Sequence, residues 1–168
     1  EGVSGGSWMV HGGGFYHARK FMVAPAALPK ELHWFKYEAY FTWVSGFLLL
    51  AVVYYLGANE FLIDPAVLAL SPAAAIAISM GSLAAGWICY DALCRSPIGQ
   101  RTGPLALAVF ILTVGAAYAF AQVFSGRAAF LHVGALLGTI MSANVFFIII
   151  PNQKKVVADL IAGRTPDP

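Results

Sequence analysis

AAFLHVGALLGTIMSANVFFIII, residues 128–150, runs for 23 residues without one Asp, Glu, Lys or Arg. A helix rises ~1.5 Å per residue, so a stretch of this length covers a hydrocarbon core of ~30 Å. Lipid offers backbone N–H and C=O groups no partners, which makes a helix the only open-chain form that can hold such a run there. Three further runs of similar length precede it, at 37–56, 71–90 and 104–123. The second opens on Ser71-Pro72, an N-cap residue followed by proline at the first helical position. Pro151-Asn152 closes the fourth and predicts a helix break. The expected fold is an all-α membrane protein with four transmembrane helices in region 37–150.

Composition agrees. Of 168 residues 60% are hydrophobic and 11% charged, against about 25% charged in a soluble domain. Too little polar surface remains to coat a water-soluble globule, so the lipid bilayer is the expected partner. A net charge of +2 with no basic stripe gives no reason to expect nucleic acid. Cys89 and Cys94 fit no zinc, thioredoxin or haem-attachment spacing and read as reduced thiols. The chain starts at Glu1 and stops at Arg-Thr-Pro-Asp-Pro, which suggests an internal piece of a longer protein.

Lys and Arg set the orientation. Arg19, Lys20, Lys30, Lys36, Arg95, Arg101, Lys154, Lys155 and Arg164 fall on one side of the expected spans, and only Arg127 on the other. The positive-inside rule makes both ends cytoplasmic. Trp34, Trp43 and Trp87 with Tyr37, Tyr40 and Tyr90 form an inner interfacial belt, while Tyr54 and Tyr55 mark the outer edge. Segment 1–36 is read as cytoplasmic and interfacial. It is either a short β-hairpin, pairing Phe15–Val23 with Leu32–Phe35 across APAALPKE, or an amphipathic stretch. Segment 151–168 is a cytoplasmic tail, in which Val156, Val157, Leu160 and Ile161 suggest a short helix on the membrane surface after the Pro151 break.

His132 is the most informative residue, because an ionisable group inside a span points to function. It reads as a haem axial ligand or proton carrier, or as a histidine bonded to a neighbouring helix, with Gln122 and Tyr118 as candidate partners. Thr139 and Ala143 share its face. Gly134 and Gly138 lie nearly opposite and invite close helix contact, so this helix is expected to be central. His11 and His17 flank Gly12-Gly13-Gly14, with Arg19, Lys20 and His33 nearby. These residues read as an anion site or as a loop meeting lipid phosphates; no metal site is expected, since metal-ligand spacing is missing. Glu38 and Asn144 could line an inner pocket or bridge helices, and Asp91 with Arg95 forms an i, i+4 pair.

In order, HGGGFYHARKF, LPKELHWFKYEAYFTWVSGF, IDPAVLALSP, CRSPIG and IMSANVFFIIIPNQKK resemble the membrane domain of the bacterial cytochrome-linked urate hydroxylases, the urate oxidase N-terminal family, over essentially the whole chain. The resemblance implies a multi-pass enzyme of the bacterial inner membrane that converts urate to 5-hydroxyisourate and passes electrons to a cytochrome c domain. That haem c domain and other spans of the family are missing here, so this piece is not expected to turn over alone. Within that frame His11, His17 and Arg19 are candidates to bind the urate anion, and His132 is a candidate axial ligand of a haem b. The rival readings are a polytopic transporter and a haem-bearing electron-transfer membrane anchor.

Overall fold

The computed structural model describes residues 3–21 and 35–164. It divides into two compact units, one being Phe35–Phe147 and the other the terminal segments. In the first unit, helix α1 (Phe35–Leu50) continues through a π-helical turn, Ala51–Tyr55, and a second π-turn follows at Ala58–Leu62. Helix α2 is Pro72–Arg95, α3 is Thr102–Ala121 and α4 is Gly126–Asn144. The Ser71 hydroxyl accepts the Ala74 N–H at 3.3 Å with Pro72 next in line, as the Ser-Pro pair predicts. Helix α2 passes its expected end at Tyr90 because hydropathy marks the apolar stretch, not the helix end. Its last turn is tied by Arg95 Nε donating to Asp91 Oδ2 at 2.6 Å.

Among the described residues four helices are long and apolar enough to cross a membrane: Lys36–Tyr55, Pro72–Arg95, Thr102–Ala121 and Gly126–Ile161. The last corrects the expected break. Past Asn144 the helix widens into a π-turn, Val145–Ile149, and resumes as α5, Ile150–Ile161. Pro151 stands in the first turn of the new α-segment, where an N–H has no α-type partner to lose. The widened turn also makes room for the ring.

Helix α4 packs on α1, α2 and α3, so it is the central helix. Its contact with α2 is a seam in which Ala75, Ser79, Leu83 and Gly86 face Ala128, His132, Leu136 and Ile140, all buried. The tightest approach is at Gly86, where any Cβ would collide with the Leu136 side chain. Gly134 and Gly138, expected to make that close contact, have nothing within 4 Å of a Cβ and line a separate groove. The α3–α4 turn is pinned by Ser125, whose hydroxyl donates to Phe61 O at 2.6 Å and whose N–H donates to Leu62 O at 3.0 Å.

Outward faces are apolar. Phe110 is 64% exposed and Phe130 86%, and surfaces of this kind, repeated along four helices, are compatible with a lipid surrounding.

At the N-terminus, strands β1 (Val3–His11) and β2 (Gly14–Phe21) pair antiparallel, from Trp8 opposite His17 to His11 opposite Gly14. A hairpin is therefore present, but with a different partner strand from the one expected. The triple glycine is its turn, because Gly12 and Gly13 both adopt positive φ, 56° and 78°, the geometry of a two-residue type I′ loop. APAALPKE and most of Leu32–Phe35 lie outside the described residues, as do Lys30, His33 and Trp34. Gly86→Ala should lower the thermal unfolding midpoint in detergent, with overpacking worth about 1–3 kcal/mol. Gly138→Ala should leave it unchanged or slightly higher, as alanine favours helix by up to ~1 kcal/mol. Circular dichroism checks both.

Candidate functional site

His132 lies two turns into α4 and is fully buried. Its Nδ1 is 2.7 Å from Ala128 O, and its Nε2 is 2.7 Å from Ser79 Oγ on α2. A carbonyl only accepts, so Nδ1 carries the proton. In the neutral ring Nε2 is then the acceptor, and the Ser79 hydroxyl must donate to it. Ser79 Oγ in turn accepts a hydrogen bond from the Tyr55 hydroxyl, 2.8 Å away. The chain thus has one direction, Tyr55 to Ser79 to His132 to Ala128 O. Phe124, Phe120 and Tyr54 surround the imidazole with ring centroids at 4.6, 5.7 and 6.1 Å. The π-turn Ala51–Tyr55 brings both tyrosines inward: Tyr54 onto the ring, Tyr55 onto Ser79. Both do lie at the expected end of their helix.

These partners bear on the haem reading. A haem axial ligand needs a free imidazole nitrogen and room for the macrocycle beside it. Both nitrogens of His132 are engaged within the protein, three aromatic rings pack on it, and it lines neither the cavity at Trp43 and Trp87 nor the groove at Gly134 and Gly138. The residues around His132 do not fit a haem b. The expected partners differ too: Tyr118 is 69% exposed, and Ser79 takes the place foreseen for it and Gln122. A lone serine inside an apolar run gives no sequence sign of its partner, and Tyr55 read as an interface tyrosine.

A concavity lies elsewhere. The end of α1, the start of α2, the end of α3 and the start of α4 meet at His132, so successive helices run in opposite directions. Towards the other end, which carries Lys36, Arg95 and Arg101, a cavity of about 340 Å³ opens among α1, α2 and α4. Tyr40, Trp43, Trp87, Phe146 and Phe147 line it, with Thr139, Ser142 and small residues such as Ala143 between them. Tyr40 meets Phe146 at 4.8 Å, Trp87 meets Phe147 at 5.1 Å, and Trp43 Nε1 donates to Thr139 Oγ1 at 3.2 Å. The Trp87 indole N–H is buried and has no partner among the described residues. Trp43, Trp87 and Tyr40, read as part of an interfacial belt, therefore build a pocket wall. Thr139 and Ala143 line the cavity, which does not reach His132, and Ala39 and Ala143 stand where Glu38 and Asn144 were candidates.

On the hairpin, His17 stacks on Trp8 at 4.3 Å, nearly parallel at 5°, and accepts from Arg19 Nε at 3.3 Å. Gly6 makes this possible, since a Cβ there would meet His17 Nε2 at 2.8 Å. His11 pairs with Gly14, an odd number of positions from the Trp8–His17 pair, and so sits on the opposite face. His17 and Arg19 are brought together, and His11 is set apart from them.

Ser79→Ala should leave Nε2 without its donor deep in the bundle and lower stability by about 1–3 kcal/mol. Tyr55→Phe removes a half-buried interhelical bond, worth nearer ~0.6 kcal/mol in membrane proteins, and the two losses should be less than additive because the groups share one chain. Unfolding in detergent measures all three variants. The Soret maximum of the full-length protein should be the same in His132→Leu; a shift would return the ring to ligand duty.

Neither a curated protein nor a solved structure matches the chain. The family described as urate oxidase N-terminal matches residues 1–168, the whole length, and the chain belongs to that family.

Proposed function

We propose that this chain is the membrane-spanning part of an enzyme that oxidises urate to 5-hydroxyisourate in the bacterial inner membrane. The family match over all 168 residues carries the reading. Urate and water give 5-hydroxyisourate, two protons and two electrons, and the electrons pass to a cytochrome c domain or a separate cytochrome outside this chain. The basic end of the bundle faces the cytoplasm, in line with the distribution of Lys and Arg. Urate, a planar anion at neutral pH, is drawn to that side by its positive potential.

On the hairpin, Trp8 and His17 form a flat stack with the Arg19 guanidinium beside it. A planar anion can lie along such a stack and share the Arg19 charge, which makes His17 and Arg19 the candidate capture pair. His11, on the other face, takes no part in this contact.

Full-length protein in proteoliposomes tests the reading. Urate should reduce the cytochrome and yield 5-hydroxyisourate; urate uptake without cytochrome reduction would support a transporter instead, and haem without urate activity a membrane anchor. Arg19→Ala should raise KM for urate by about tenfold, as expected for a charge-assisted hydrogen bond of ~1.5 kcal/mol. His11→Ala should stay within about twofold.

A further inference from the structure

We infer that the turn end of the β1–β2 hairpin seats on an anionic bilayer surface, with Val10 and Phe15 in the acyl margin and Lys20 at the level of the phosphates. The strand register sorts the side chains along the hairpin for this. Moving away from the Gly12-Gly13 turn, Val10 opposite Phe15 and Met9 opposite Tyr16 come early, and Trp8 opposite His17 follows. Gly6 opposite Arg19 and Gly5 opposite Lys20 come near the far end. At ~3.4 Å per residue Arg19 stands about 14 Å along the strand from Phe15. Apolar, then amphipathic aromatic, then cationic is the order in which a bilayer margin passes from acyl chains to phosphate.

Among the large apolar residues of the hairpin, Phe15 and Val10 are the most exposed, at 80% and 71%. Strand alternation puts them on the face opposite His11, so the turn can lean into lipid while that imidazole keeps to water. No residue of β1 is buried, and a two-stranded hairpin with nothing against it is marginal in water. Two observations identify lipid as the cover. Residues 3–21 hold Arg19 and Lys20 and no Asp or Glu, a charge that complements anionic headgroups. Thirteen residues, 22–34, then join the hairpin to α1, whose apolar span opens at Lys36. A chain of that length reaches at most ~50 Å, so a bilayer around the span is always within range. A soluble partner would have to arrive by diffusion. The seat goes beyond the urate reading and requires neither urate nor turnover.

Fluorine NMR tests this with the full-length protein in nanodiscs, Phe15 being replaced by its para-trifluoromethyl analogue, which keeps the ring. In discs of mixed phosphatidylglycerol and phosphatidylcholine, dissolved oxygen, which concentrates in lipid, should relax the signal, and a water-soluble nickel chelate should not. The ratio of the two effects gives the balance of seated to free hairpin. Val10→Ser should lower that balance by about tenfold, the worth of one buried apolar side chain. Lys20→Gln, which leaves the apolar pair intact, should lower it by about fivefold in the anionic discs and leave it unchanged in pure phosphatidylcholine. Strong relaxation by the chelate would place the tip in water and overturn the inference. Protection from both reagents would put protein over it, a second copy or another domain, and overturn it equally. So would a balance that neither substitution moves.

Discussion

The seam between α2 and α4 holds the helical unit together, and it works through contrast in size. Along α2, Ala75, Ser79, Leu83 and Gly86 recur at three- and four-residue steps; on α4 they meet Ala128, His132, Leu136 and Ile140. Small residues face large ones at two points of the register: Gly86 receives Leu136, and Ser79 receives the imidazole. Between apolar helices in lipid there is no hydrophobic drive to associate, so close packing and a few hydrogen bonds must suffice. Here both occur in one stripe. The end of α1 then closes on the seam through Tyr54 and Tyr55, and the end of α3 through Phe120.

That arrangement changes the meaning of the buried histidine. An ionisable side chain in a span invites a functional assignment, yet this one has both nitrogens occupied and no carboxylate among its partners. It ties three segments, at Ala128, Ser79 and Tyr55, and the fixed direction of the bonds ends at a backbone carbonyl. Towards the opposite end an uncharged, aromatic-lined cavity opens among α1, α2 and α4. The two regions share α1, α2 and α4, so the rigid seam sets the distance between the cavity walls.

The four apolar helices were legible in the sequence because hydropathy over twenty residues admits few alternatives in lipid, and Ser71-Pro72 marked a helix start by its chemistry. The centrality of α4 was also legible, though for a partly mistaken reason. Gly134 and Gly138 suggested a contact that Gly86 makes, and a glycine's spacing cannot say which neighbour comes close. The hairpin was half legible. Gly12-Gly13 is a strong turn signal, but mixed aromatic and basic residues on both sides hid the pairing with Val3–His11. Pro151 misled because a π-turn, which has no sequence rule, absorbs the ring. Ser79, Tyr55 and the cavity required the helices to be assembled, since each residue is unremarkable in its own run.

Helix α3 is the least buried of the four, with Phe120 its one buried residue and Leu107, Phe110, Ile111 and Val114 all facing outward. Within this chain, its side chains answer mostly to the oiliness of their surroundings and hardly to the shape of a neighbour. Evolutionary drift should therefore run fastest there, exchanging Leu, Ile, Val and Phe almost freely, while the small residues of α2 stay fixed.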